Sequence, residues 1–599
     1  MYTNKAYILT TCSSRILALF TRSHVPRVSL NHSRILSSLQ LERKPRNTSC
    51  LVESRVVLEN TLLKGKAGSY SSVIQKAFYK TKAEVPVPFQ VQLNKKIISL
   101  KTVQDLLSLY DSESFMNVVN RVSLLFNIAR IVERDKKQLH LFRKIKGESH
   151  ALSDTYIHLL DSLSADISRC SPRCLANMMW SLGKIEEKSH CLLQICEETI
   201  MSCDLSSFTQ PDIFQIVKGC SLLGIKGNKI FLKLEEAILN GKIGISDFKD
   251  LDLILVVMSF AKNDSGSEAL FNHFQSEILS RDLTVYESRQ LAGFVWSFAT
   301  LTLSGSSDLF DQIESEVLRR GTNTMNNIPT LMLLWSFAKM GMGSERLFSA
   351  FDRNLVARGL EEFANTGIVQ LVWSFAKRGF KDAGLYAVVE KEVLDRGISV
   401  FQDYQLVVLL WSFTKAEKFD TELVKSVSQE FLQRDVKQLR GDHLSQLAWT
   451  LGRAGIKIPE LFDSIGQVVR YCPPDMTLSQ MISLVRGFVE AKAGSSELFD
   501  HFRLAIMKDI KALSADNICE VLWCFSEGKS TSNRPDVFST IAKEILRRGI
   551  ASFNTVQLAK IKQCFLAVEE GFDCCEKLLE MLQDVDIAQA RIPDKQMLW

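Results

Sequence analysis

One pattern of apolar and polar positions recurs along the chain. Around Trp335 the sequence reads TLMLLWSFAKMG, and around Trp373 it reads GIVQLVWSFAKRG. Within 368–377 the apolar positions are Ile368, Val369, Leu371, Val372, Trp373, Phe375 and Ala376; only Gln370, Ser374 and Lys377 are polar, at i, i+4 and i+7. A single thin polar stripe at helical spacing predicts a helix buried nearly all round. A second segment follows each Trp after about 12 residues: LFDQIESEVLRRG (309–321), LFSAFDRNLVARG (347–359), LYAVVEKEVLDRG (385–397). In the first of these, Leu309, Ile313, Val317 and Leu318 fall on one face, which predicts an amphipathic helix. It ends on Arg-Gly, and Gly is favoured just past a helix end.

These paired segments form a tandem repeat. Trp296, Trp335, Trp373, Trp411 and Trp449 recur at a nearly constant step of about 38 residues, within the range of repeat architectures. Stepping backward reaches Met258 (VVMSFAK), Cys220 (KGCSLLG) and Trp180 (MMWSLGK); stepping forward reaches Arg486 (VRGFVEA), Trp523 (VLWCFSE) and a degenerate copy at 561–567. Seven of the eight Trp residues share this register, which marks a repeat. Two helices per step, one nearly encased, predict an all-α protein: a right-handed α-solenoid of about ten to eleven two-helix repeats. No useful strand-like alternation interrupts the array.

The boundaries follow from composition. Residues 1–50 carry eight Lys or Arg against one acid, Glu42, and the stretch 1–41 has no Asp or Glu. An Arg- and Ser-rich, acid-poor start is the composition of an organellar transit peptide, with the mitochondrial matrix favoured and the plastid as alternative. Residues 51–100 read as a poorly ordered linker, broken by proline in KAEVPVPFQVQLNKKI. Residues 101–150 read as an N-terminal helical cap, 151–570 as the array, and 571–599 as a C-terminal helix and tail. The net charge of +5 shrinks to −2 once the basic stretch 1–50, at +7, is set aside. A nucleic-acid partner therefore needs charge sorted onto one face. No apolar run reaches the roughly 18 residues of a spanning helix, so no membrane partner is expected.

Candidate chemistry lies on the thin face of the first helix. The residue after the Trp is Ser or Thr in eight copies: Ser181, Ser221, Ser259, Ser297, Ser336, Ser374, Ser412 and Thr450. Three positions later stand Lys184, Lys262, Thr300, Lys339, Lys377, Lys415 and Arg453. Spacing i, i+3 puts hydroxyl and cation on one face, and stacked repeats would align the cations into a phosphate track. The candidate RNA-binding set is Lys184, Lys262, Lys339, Lys377, Lys415, Arg453, Ser297, Ser336, Ser374 and Ser412. A serine on a crowded helix can instead bond its own i−4 carbonyl. The Trp row reads as core. The terminal row Arg281, Arg320, Arg358, Arg396 and Arg434 reads as structural, closing helix ends and pairing with acids of the next repeat. The 14 Cys contain no CxxC pair; Cys170, Cys174, Cys191 and His190 fit no standard zinc spacing. No nucleotide-binding loop, nucleophile elbow or metalloprotease motif occurs. Neither cofactor nor metal is expected, and the chain reads as a non-enzyme.

A two-helix repeat of this length with QLAGFVWSFAT, TLMLLWSFAKMG and HLSQLAWTLGRAG resembles the octotricopeptide and heptatricopeptide repeats of organellar proteins, over roughly 170–567. It is also similar to the helical regions of the Fas-activated serine/threonine kinase-like (RAP) proteins and of RNA-editing substrate-binding complex subunits. The chain lacks the RAP domain's strand pattern at its C-terminal end and lacks the proline-rich octotricopeptide signature. No base-by-base code carries over. The resemblance implies an organellar RNA-binding protein in processing, stability, editing or translation, contacting single-stranded RNA on the concave face without catalysis. The second expectation is a protein–protein scaffold in an RNA-processing complex or mitochondrial ribosome.

Overall fold

A computed structural model describes residues 88–147, 150–224, 229–471, 475–527, 534–567 and 573–583. The expected transit peptide, most of the expected linker and the tail over 584–599 lie outside these ranges. The described residues are helical throughout, with short 3₁₀ turns and no strands. The chain divides into two compact units at Leu309/Phe310.

The first unit holds α1 (Pro88–Ser99), α2 (Val103–Ser112), α3 (Val118–Arg134), α4 (Lys136–Lys146), α5 (Ser153–Ala165), α6 (Pro172–Lys184), α7 (Cys191–Ser202), α8 (Gln210–Leu223), α9 (Lys229–Leu239), α10 (Asp250–Lys262), α11 (Glu268–Ser280) and α12 (Ser288–Leu301). The break falls near the start of α13 (Ser307–Arg320). The second unit continues with α14 (Asn327–Met340), α15 (Glu345–Arg358), α16 (Asn365–Arg378), α17 (Leu385–Arg396), α18 (Asp403–Lys415), α19 (Glu422–Gln433), α20 (Gly441–Arg453), α21 (Pro459–Tyr471), α22 (Leu478–Ala491), α23 (Ser496–Lys508), α24 (Ala515–Glu527), α25 (Arg534–Arg548), α26 (Thr555–Leu566) and α27 (Asp573–Met581).

Each unit is a stack of two-helix repeats, the α-solenoid that the period predicts. Trp-type helices pack directly on one another: α6, α8, α10 and α12 in the first unit, and α14 through α26, taken alternately, in the second. The amphipathic helices form a parallel outer row, α7–α9–α11 and α15–α17–α19–α21–α23–α25. A repeated aromatic pair joins the rows. The Phe two positions after the Trp position meets the second residue of the apolar pair that opens an outer helix. Examples are Phe271–Phe298 at 5.1 Å, Phe310–Phe337 at 5.0 Å, Phe348–Phe375 at 5.3 Å and Phe538–Phe565 at 5.2 Å, all edge to face. Such pairs add about 0.5–1.5 kcal/mol each beyond their buried area. This explains the excess of Phe and the fixed spacing of the two apolar signals.

The described part of the expected linker includes a helix. Pro88 opens α1, a position where its missing N–H costs nothing. Leu93 and Ile97 are buried, and Asn120 and Asn127 of α3 donate to the Gln90 and Ile97 carbonyls at 3.1 and 2.7 Å. The proline expected to break the chain here instead starts an element, one that continues the inner row through α3 to α6.

The terminal arginines close their own repeat instead of reaching the next. Arg434 donates to Glu430 one turn back, to the Phe401 and Ile398 carbonyls and to Asp403, 31 to 36 residues earlier. Arg281, Arg396 and Arg548 make the same kind of set. Each guanidinium thus satisfies carbonyls of the short turn that enters its repeat, a 3₁₀ turn for Arg281, Arg434 and Arg548, which the periodicity does not announce.

Candidate nucleic-acid interface

The ends of the inner helices fix the register. A residue with positive φ falls six positions after the Trp position in nine successive repeats: Glu186, Gly224, Asp264, Thr302, Gly341, Gly379, Glu417, Gly455 and Lys492. Gly224 therefore puts Lys218, not Cys220, at the Trp position of α8. The slip by two positions has a physical origin. The repeat preceding α10 is longer, and Cys220 takes the buried place that Phe holds in most other repeats. A second sign agrees. A Cβ on Gly183 would sit 2.5 Å from the Gly219 carbonyl oxygen, and one on Gly219 only 2.3 Å from that of Met179. In the second unit Gly452 and Gly487 make the same backbone-to-backbone contact, at 2.3 Å from the Gly487 and Ala448 oxygens. In both cases the residue before the second glycine, Lys218 or Arg486, stands where other repeats have Trp or Met.

The structure separates the serines from the lysines. Ser297, Ser336, Ser374 and Ser412 are 0% exposed. Each hydroxyl donates to the carbonyl four positions earlier: Gly293 (2.8 Å), Met332 (2.6 Å), Gln370 (2.7 Å) and Val408 (2.7 Å). Ser181, Ser259 and Thr450 do the same. The serines are corrected from candidate ligand contacts to packing residues. A small side chain that satisfies itself lets neighbouring inner helices approach. The i, i+3 argument placed them beside the lysines, but the inner helices are flanked so closely that only the cation side reaches solvent.

The cations lie on the accessible edge with the indoles. Lys339 sits 5.0 Å over the Trp335 ring and Lys184 sits 5.5 Å over Trp180. Trp296 and Trp335 are buried as read from the sequence, whereas Trp180, Trp373, Trp449 and Trp523 are half-buried. Lys377 is exposed. Lys415 is half-buried; burial lowers its pKa, with Lys381 and Arg453 pushing the same way. Lys262 is lowered by burial and by Lys188. Lys184 pairs with Glu133, and Arg453 approaches Glu490 at 3.8 Å.

Sequence reasoning missed Lys218 because no Trp marks its repeat. Burial holds its ammonium down to about 8, and Lys184, Lys262 and Arg289 reinforce the shift while Glu133 opposes it. Among the described residues it has no hydrogen-bond or ion-pair partner. At the far end of the second unit the signs reverse. The position four after the Trp site is Glu490 in α22 and Glu527 in α24. Arg486 is buried, bonded to Glu520 at 2.6 Å and Glu490 at 3.0 Å, and stacked 5.0 Å from the Trp523 ring.

One other cluster brings metal-ligand types together among the described residues: Asp161, His190 and Cys191. His190 caps α7, its Nδ1 accepting from the Leu192 N–H at 3.1 Å, while Nε2 faces Asp161 Oδ1 at 3.2 Å. Both ring nitrogens are engaged, so the group reads as a helix cap whose Nε2–H donates to Asp161.

The fold and this edge define a class, an α-solenoid with a cationic inner-helix edge. No protein-family model matches the sequence, and a search of curated proteins gives no significant match.

Proposed function

We propose that this chain is a mitochondrial RNA-binding helical-repeat protein acting in post-transcriptional RNA metabolism, and that it holds single-stranded RNA on the inner-helix edge without catalysis. The observation that carries the reading is the sorting of charge in a body that is nearly neutral. Lys184, Lys218, Lys262 and Arg289 gather in the first unit, and Lys415, Lys381 and Arg453 in the second. Gathering like charges raises the energy of the apo protein, and a polyanion relieves it. Half-buried indoles beside the cations offer surfaces on which bases could stack. The acid-poor stretch 1–41 supports an organellar address.

A second reading, a scaffold within an RNA-processing complex or mitochondrial ribosome, draws on Glu490, Glu520 and Glu527, which make α22 and α24 unsuited to phosphate. Crosslinking in isolated mitochondria followed by sequencing of bound RNA tests the first reading directly. Recovery of specific transcripts is the expected result. Recovery of a stable protein complex without crosslinked RNA would favour the scaffold.

A further inference from the structure

Lys218 has no assigned role in packing. Its neighbours on the same helix are the packing residues: Gly219 lies against the α6 backbone, and Cys220 is buried. Four inner helices present charges to it: Glu133 from α3, Lys184 from α6, Lys262 from α10 and Arg289 from α12. Among these charges the cations outnumber the acid, and that acid, Glu133, is already paired with Lys184. The glycine contact between α6 and α8 brings the Lys184 and Lys218 stems together, since any Cβ there would push the helices apart. The equivalent site in the second unit shows the alternative: there Glu490 and Glu520 neutralise Arg486.

We infer that Lys218, bracketed by Lys184, Lys262 and Arg289, forms a phosphate-binding subsite. The inference rests on the proposed RNA binding for the identity of the ligand, a backbone phosphodiester, but on the cluster alone for its chemistry. A phosphate oxygen supplies the acceptor that the ammonium lacks and cancels the repulsion among the neighbouring cations. Because Lys218 loses its proton near pH 8, occupancy is fullest below that pH and falls above it, as the ammonium is neutralised.

The test is acetylation of the full chain near neutral pH, with each lysine followed by mass spectrometry, in the presence of tripolyphosphate or of oligouridylate. Bound phosphate raises the ammonium pKa by about one unit and slows Lys218 acetylation roughly tenfold. Lys543, exposed on the outer helix α25, serves as control and is unchanged. A Lys218→Met variant, with helical content checked by circular dichroism, loses tripolyphosphate binding in calorimetry, and Lys218→Arg keeps it. Equal protection of Lys218 and Lys543, or none at Lys218, overturns the subsite. Protection by tripolyphosphate, with no binding of oligouridylate by the wild type, leaves the subsite standing and overturns RNA as its ligand.

Discussion

The surroundings of Lys218 and Arg486 are two copies of one local device with opposite outcomes. In each, an inner helix carries Gly where most repeats have Ala, and the next carries Gly where most have Ser. The two backbones touch, and the Trp position becomes a cation. Around Arg486 the position four further on is Glu490, and Glu520 sits on the following inner helix, so the guanidinium is enclosed, paired and stacked on Trp523. Around Lys218 the corresponding neighbours are Leu222 and Leu255, and the charges that reach it from other inner helices are mainly cations. The backbone geometry is shared; the neighbouring side chains decide whether the cation is a buried structural bolt or a half-buried group awaiting an anion.

The largest way to break this comparison is at the bolt. Arg486→Met leaves Glu520 buried without its partner and Glu490 with only the more distant Arg453, and a loss of about 3–5 kcal/mol is expected in urea unfolding. The shared glycine contact comes next. Gly219→Ala and Gly487→Ala force a Cβ against backbone atoms at 2.3 Å and should cost about 3 kcal/mol each. Gly379→Ala, left-handed but facing open space, should cost about 1 kcal/mol. Hydrogen exchange localised to the affected repeats distinguishes these, since a repeat stack unfolds in parts.

Lys218→Met has the opposite sign from Arg486→Met. Removing an unpaired, desolvated ammonium should stabilise the apo protein by about 1–3 kcal/mol at neutral pH. The native state binds the Lys218 proton less tightly than the unfolded chain, with a pKa near 8 against 10.5. Wild-type stability therefore rises relative to the variant as pH climbs from about 8 toward 10.5, and the variant's advantage is complete only below 8. Thermal unfolding of both proteins across that window checks the sign. The smallest effect belongs to Ser336→Ala. Its hydroxyl serves only the Met332 carbonyl of its own helix, so the expected change is within about 0.5 kcal/mol, with RNA affinity unaltered.

Much of this architecture was legible in the chain. The Trp spacing and the apolar pair that follows it encode the inner and outer helices, because residues in the positions of Phe337 and Phe310 must meet for the layers to close. The accessible lysines were legible too, as the end of a helix otherwise apolar. Three things were not. Lys218 escaped because a longer connection shifts its repeat, and only the left-handed Gly224 restores the alignment. The burial of Ser336 and its equivalents depends on how closely flanking helices approach, which periodicity within one helix does not report. The backward reach of Arg434 depends on a single 3₁₀ turn, too short to leave a pattern.

The most direct measurement of the central claim is the salt dependence of oligouridylate affinity, compared between the wild type and a Lys339→Gln/Lys377→Gln/Lys415→Gln triple variant. Each phosphate contact on a single strand contributes about 0.7 to the slope of log affinity against log salt. If these cations hold backbone phosphates, the triple variant binds more weakly and its slope is shallower by about two. An unchanged affinity and slope would contradict the account.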